Sequence, residues 1–457
     1  MKIGCTRWAL LTLVFLGISP SLLAQTAIPL AELKERRAAL REKIGDGLVF
    51  LFGNTEGPGS ESYFVFRQES NFYYLSGWTA PGAALLVAPD ASARQSSGDA
   101  LPTEILFLPP RNPSEEVWTG PQPDPKDPAT AARAGFETIR EITALDAELR
   151  RYSKAYERVY TLLPNPHASE AEQAVERERL ERLKKLVPGG DFQDARPELR
   201  AMRQIKSASE IELIRRAVDC SIDAHLAAGR AIRPGLAEYE IGALMKYTFE
   251  RAGCTNTAFD PIIGAGPRST ILHYTNNTGR LESGDLVVLD VGAEYGDYSA
   301  DISRTLPVSG QFSARQKEIY EVVLGAQEAV IAAVRPGMTL YGRGSKSLHQ
   351  VAREYLNTHG KDKHGNPLGK YFLHGIGHTI GLDVHDLSES SPVLQEGMVL
   401  ALEPGLYLPE ENIGVRIEDN VLVTKDGFEL LTSRLPREPE EVEQWMRERE
   451  TNNQLSQ

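Results

Sequence analysis

Three of the chain's nine histidines, His374, His378 and His385, stand close together in the stretch HGIGHTIGLDVHD over residues 374–386. Histidine is the commonest nitrogen ligand for metals and the commonest proton carrier near neutral pH, so the cluster points to metal binding, proton transfer or both. The glycines between them let backbone and substrate approach where a side chain would obstruct.

Four carboxylates occupy positions where apolar residues belong. In GDLVVLDVGAEYGDYSADISRTLPV, residues 284–308, LVVLDVG predicts a buried strand interrupted by Asp290, YSADISRTL predicts a second carrying Asp301, and EYGD between them has the length of a hairpin connection. VLALEPGLYL sets Glu403 at the end of an apolar strand before Pro404, and GVRIEDNVLV sets Glu418 inside another. One such residue alone reads as a carboxylate salt-bridged to an arginine. Four together, with His378 leading into a further strand, read as a metal site, because like charges in low dielectric are costly unless a cation lies between them. Two divalent cations cancel four carboxylates, whereas one would leave a buried net charge of about −2. Oxygen-dominated ligation with one imidazole suits manganese, cobalt or zinc better than magnesium, and the absence of thiolates removes a structural zinc site. Such metal pairs hold a bridging water or hydroxide as nucleophile.

The elements that must position these residues are legible as patterns. GLVFLFG (47–53), AALLVAP (83–89) and EILFLPP (104–110) predict buried strands. Between the first two, FRQESNFYYLSGW (66–78) is dense in rings expected to pack in a core, with Arg67 and Gln68 free for other contacts. Residues 121–131, rich in Pro, Asp and Thr, predict loop. ASEAEQAVERERLERLKKL (168–186) predicts a solvated helix, acidic early and basic late as the helix dipole prefers. GGDFQDARPELRAMRQIKS reads as a hinge, which puts a domain boundary near residues 195–198. Beyond it, long amphipathic helices over 209–231, 236–252, 314–334 and 344–358 alternate with glycine-bounded strands.

A chain of 457 residues predicts two or three domains, and 41% apolar with 25% charged residues is a soluble composition. The formal charge of −13 argues against nucleic acid as a partner. Lys2 and Arg7, the apolar run 8–18 and Ala24 predict a secretory signal peptide over residues 1–24, with export to the periplasm or medium. The run is too short for a stable membrane anchor, which needs about 20 residues. Cys5 leaves with that leader; Cys220 and Cys254 remain, as a disulfide or as two buried thiols.

The order Asp290, Asp301, His378, Glu403, Glu418 resembles the ligand order of the pita-bread metallopeptidases, the family of methionine aminopeptidase, prolidase and aminopeptidase P. ILHYTNN, the segment around Asp290 and Asp301, HGIGHTIGLDVHD, LEPGLY, IGVRIEDN and the closing EPEEVEQWM look most like bacterial aminopeptidase P, as does FRQESNFYYLSGW in the amino-terminal half. The resemblance implies an α/β (α+β) chain: an N-terminal creatinase/aminopeptidase P-type α/β domain over 28–196, then a C-terminal pita-bread catalytic domain over 197–447. It implies that Asp290 holds one metal, Asp301 and Glu418 bridge both, and His378 and Glu403 complete the other shell, with manganese the expected metal. It gives His273, His374 and His385 roles in substrate binding and proton transfer, with Glu403 also moving protons, and makes Arg416 a partner of a carboxylate or an anchor for substrate.

The implied activity is removal of the first residue from peptides with proline in second position. Prolidase, which cleaves Xaa-Pro dipeptides, is the nearest alternative, and the connection LPEEN between LEPGLY and IGVRIED is shorter here than in many relatives. The same fold hosts creatinase-like enzymes and metal-free binding proteins that have lost ligands, whereas all five are present here. Relatives are commonly dimers or tetramers whose amino-terminal domain borders a neighbour's site, which gives the aromatics over 72–78 a contact role.

Overall fold

The three apolar runs at 47–110 become the middle of one sheet, formed by β1 Leu48–Phe52, β2 Ala84–Val87, β3 Glu104–Leu108, β4 Ile139–Glu141, β5 Arg158–Thr161 and β6 Asp191–Asp194 in the order β4-β3-β2-β1-β5-β6. The computed structural model describes residues 28–55, 66–90, 100–342 and 347–448, so the expected leader lies outside the described residues. Side chains of β1 to β3 alternate between two apolar layers. Val49, Leu51, Leu85 and Leu106 pack with Leu33 and Leu40 of the helix Leu30–Ile44; Leu48, Phe50, Leu86 and Phe107 pack with Leu149 and Leu183 on the opposite face. A sheet covered on both faces explains why these strands read as continuous apolar runs. Each such side chain contributes about 1.5–3 kcal/mol by leaving water.

Two local expectations are corrected and a third holds. Residues 121–131 are not all loop: Pro128–Ala134 is a helix, because Pro128 opens it and the Asp127 carboxylate accepts from the Ala129 N–H at 2.9 Å. The hinge-like stretch after Gly190 instead holds edge strand β6, paired in parallel with β5, followed by the helix Arg196–Arg203. The aromatic stretch holds the helix Ser70–Ser76, capped by Glu69, and Phe72, Tyr73 and Tyr74 pack in the core as expected, while Trp78 is half-buried.

The second half places the helices Ala208–Ala231, Glu238–Arg251, Ala314–Ala333 and Leu348–Thr358 around short sheets. Ser207 with Glu210, and Ser313 with Gln316, form capping boxes that fix two of the helix starts, and Ser347 caps a third. The strands are β7 Asn256–Thr257, β8 Ile262–Ala265, β9 Leu286–Asp290, β10 Ala293–Tyr295, β11 Tyr298–Ser299, β12 Ser303–Pro307, β13 Gly377–Thr379, β14 Val399–Leu402, β15 Gly405–Leu408, β16 Ile413–Arg416, β17 Asp419–Val423 and β18 Phe428–Leu430. They make sheets ordered β11-β10-β7, β12-β9-β8, β13-β14-β17-β18 and β15-β16.

The expected strand through Asp301 is split. β11 ends at Ser299 and β12 begins at Ser303, because the Asp301 peptide bonds to a side chain: its N–H donates to Asn420 Oδ1 (3.1 Å) and its carbonyl accepts from Asn420 Nδ2 (2.6 Å). Cys220 and Cys254 form a disulfide that ties the helix Ala208–Ala231 to the turn after Glu238–Arg251.

Candidate metal centre

All nine residues singled out in the sequence, His273, Asp290, Asp301, His374, His378, His385, Glu403, Arg416 and Glu418, line one cavity of about 590 Å³. Strand ends deliver the carboxylates. Asp290 closes β9, Glu403 follows β14 with its N–H donating to the Ile376 carbonyl at 2.9 Å, and Glu418 lies between β16 and β17 with its N–H on the Ser303 carbonyl at 3.0 Å. A strand end lets one side chain leave the apolar layer while its neighbours stay in it.

His378 sits at the middle of β13, opposite Ala401 of β14. The strands meet only because residue 377 is glycine: its φ is 148°, and a Cβ there would lie 1.9 Å from the Ala401 carbonyl oxygen. His378 Nδ1 is 3.2 Å from the Thr379 carbonyl, which only accepts, so Nδ1 carries the proton and Nε2 presents its lone pair towards Asp301 Oδ2, 3.4 Å away. Among the described residues, Asp301, His378 and Glu418 offer ligand atoms within 4.8 Å of one another.

Arg416 organises the remainder. It donates to Asp290 Oδ2 (2.7 Å), to Ser303 Oγ (2.9 Å) and to the Tyr407 hydroxyl (2.8 Å). Ser303 in turn donates to Glu418 Oε2 at 2.8 Å. The Tyr407 hydroxyl faces His374 Nε2 at 2.8 Å, while His374 Nδ1 faces the Gly375 carbonyl at 2.8 Å. Both nitrogens of His374 are therefore engaged, which fixes the orientation of its ring. His385 stacks on His378 at 4.0 Å between ring centroids, and the exposed His273 lies at the cavity's rim.

The electrostatics match a cation site. Burial first, and then the neighbouring carboxylates, hold Asp301 and Glu418 well above the usual carboxylate range, and burial lifts Glu403 to about 7. Burial lowers His374 and His385 to about 4, keeping both neutral at physiological pH. Asp290 Oδ1 is buried with no hydrogen-bond partner. A buried oxygen without a donor, beside carboxylates that resist ionisation, fits divalent cations and their oxygen-rich shell.

Sequence reasoning missed Ser303, Tyr407 and Tyr341, whose hydroxyl bonds the Gly377 carbonyl. The register that pairs Ser303 with Asp290 is the signal for the first; the two tyrosines read as ordinary strand and loop aromatics.

Residues 212–425 match Metallopeptidase family M24, and residues 33–160 match Aminopeptidase P, N-terminal domain. The chain is 33% identical to a Xaa-Pro aminopeptidase of Escherichia coli (strain K12) over 91% of its own length and 97% of the relative's. It is 38% identical to a Xaa-Pro dipeptidase of Pyrococcus furiosus, over 61% of its own length and 77% of the relative's. The structure of aminopeptidase PepP of Pseudomonas aeruginosa superposes with a TM-score of 0.81 at 30% identity, covering 93% of this chain and 99% of that one. The cavity thus lies within the matched peptidase segment, and the chain belongs to metallopeptidase family M24, in the branch of the Xaa-Pro aminopeptidases, as a metal-dependent exopeptidase.

Proposed function

We propose that the protein removes the N-terminal residue from peptides with proline in second position, with two divalent cations held by Asp290, Asp301, His378, Glu403 and Glu418, manganese foremost. The observation that carries this reading is the convergence of all five residues on one cavity, where Asp290 Oδ1 is buried without a partner. When bound, the cations supply Lewis-acid polarisation of the scissile carbonyl and an acidified water as nucleophile.

The chain's own groups divide the remaining work. Glu403, at the cavity wall beside His374, is placed to take a proton from the attacking water and pass it to the departing nitrogen. That nitrogen belongs to proline and has no N–H before cleavage, so a site built on extended-strand hydrogen bonding to it would fail. His385, neutral and free at the cavity wall, hydrogen-bonds the peptide carbonyl, and His273 does the same from the rim. The ring of His374, held edge-on to Phe372 at 5.2 Å, offers an apolar wall to the proline.

Correspondence with an aminopeptidase along nearly the whole chain, amino-terminal domain included, supports this activity over dipeptide cleavage. The higher identity to a dipeptidase over part of the chain favours prolidase activity as the second reading. Export to the periplasm or medium is supported by the leader-like start and by the Cys220–Cys254 disulfide, a bond of oxidising compartments. Among the described residues no helix is long and apolar enough to cross a membrane. Assembly as a dimer or tetramer is supported by Val117 and Trp118, which stand 81% and 85% exposed.

Metal analysis tests the core of the proposal. The purified chain should bind about two manganese ions per molecule with recovery of peptide cleavage, and binding of none would refute it.

A further inference from the structure

We propose that Arg203, outside the cavity, is a positioning residue for His385; this rests on the role given to His385 above. Among the described residues no hydrogen bond restrains the His385 ring, whose place is set by its backbone and by stacking on His378 at 4.0 Å. That backbone belongs to the turn 381–386, which contributes Val384 and His385 to the cavity.

The turn is held from outside at several points, and Arg203 alone binds both Asp383 and Asp386. Arg203, 2% exposed, donates through Nη1 to Asn71 Oδ1 at 2.8 Å, and through Nη2 to Asp383 Oδ2 at 2.7 Å and to Asp386 Oδ1. Asp383 and Asp386 bracket His385, so one guanidinium grips the chain on both sides of it. Lys206 Nζ takes the second oxygen of Asp386 at 2.8 Å. The Asp386 N–H donates to the Thr379 carbonyl at 2.9 Å, and Thr379 Oγ1 donates to the Asp386 carbonyl at 3.1 Å, which fastens the turn beside His378. Residue 381 is glycine because a Cβ there would lie 2.4 Å from Asp386 Oδ2.

The amino-terminal domain supplies the other end of the grip. Ser70 Oγ donates to Asp383 Oδ1 at 2.7 Å, and Arg67 Nη2 donates to the Leu382 carbonyl at 2.6 Å while Nη1 pairs with Glu294 at 2.7 Å. Asn71 lies in the same helix as Ser70. A planar fork can hold three oxygens in fixed directions where a point charge cannot. A reacting group misplaced by about 1 Å can lose as much as about 100-fold in rate, so the fork is placed to matter for turnover.

A double-mutant cycle on cleavage of an Xaa-Pro-Xaa peptide tests this, using Arg203→Met, His385→Ala and their combination in the manganese-loaded full chain, with bound metal and amide exchange at Asp386 measured alongside. Arg203→Met should lower kcat about 10-fold or more with KM changed less than about 2-fold. Bound metal should stay the same and exchange at Asp386 should accelerate. In the His385→Ala background the loss should shrink to less than about 2-fold.

An equal loss in both backgrounds, or loss of metal in Arg203→Met, would overturn the positioning role and leave the reading of the site intact. If His385→Ala by itself costs nothing, that reading fails and the positioning role with it. Should Arg203→Met not fold, Arg67→Ala takes its place in the cycle, since that side chain is 42% exposed and its removal spares the pairs of Arg203 with Asp383 and Asp386, leaving Glu294 the one carboxylate without its partner. The same background dependence is expected there at about 3-fold, and its absence counts against the proposal.

Discussion

His378 Nε2 lies 3.4 Å from Asp301 Oδ2 although His378 stands in mid-strand of one sheet and Asp301 in the break between strands of two others. Their meeting depends on Asn420, which takes the Asp301 peptide out of strand pairing, and on Gly377, which lets β13 press against β14. Two carboxylates and an imidazole brought this close offer a set of ligand atoms that suits a divalent cation.

Asp301→Asn and Glu418→Gln should each abolish peptide cleavage and reduce bound manganese, with helix content by circular dichroism unchanged. Each removes a buried carboxylate that resists ionisation, so the metal-free variants should also melt at a higher temperature than the metal-free parent. An active Asp301→Asn protein would contradict the assignment of Asp301 as a ligand.

His385→Ala should lower kcat about 100-fold, the scale of losing one positioned hydrogen-bond donor to the reacting carbonyl. Bound metal should be unchanged, because His385 stacks on a ligand without being one. Loss of metal in this variant would mean that His385 belongs to the coordination shell.

Stability of the metal-free protein should fall as pH rises above about 6.5. Asp301, Glu403 and Glu418 have folded-state pKa values raised, Glu403 to about 7, so the fold binds their protons more tightly than the unfolded chain does. Their contribution is fully present below the unfolded carboxylate value of about 4.3 and is lost as pH rises through the folded values. His374 and His385, lowered to about 4, act in the opposite direction only below their unfolded value. Manganese requires the ionised carboxylates, so the gain in melting temperature on adding it should grow over the same range. A metal-free melting temperature that stays flat from about pH 6.5 to 8.5 would contradict the charge arrangement.

Much of this site was legible from residue types because charge in an apolar strand is expensive and therefore conspicuous. Asp290 and Glu403 each ended a run of aliphatic residues, Asp301 and Glu418 each stood in a strand-like stretch, and all four line the cavity. What the pattern could not convey is partnership at long range. Arg416 stands in an alternating strand whether or not it meets Tyr407 and Ser303, and Asn420 looks like a polar interruption until its amide is found on the Asp301 peptide. The helix at Pro128–Ala134 was hidden for a different reason, since a cap and an opening proline have the same composition as a loop. Helix starts fixed by capping boxes at Ser207 and Ser313 were the most readable parts of the fold.

Cys220 and Cys254 are 34 residues apart in sequence, and closing a loop of that length contributes about 3–4 kcal/mol in the chain-entropy account. Cys220→Ser with Cys254→Ser should lower stability towards urea by that amount, and chain made in a reducing compartment should melt like the double variant. Equal stability with and without the bond would remove this support for an exported protein.

The central claim is tested most directly by incubating the chain from residue 25 onwards, supplied with manganese, with an Xaa-Pro dipeptide and an Xaa-Pro-Xaa peptide side by side. Release of the first residue from the longer peptide is the predicted result. Cleavage of the dipeptide alone would make the protein a prolidase, and cleavage of neither would contradict the account.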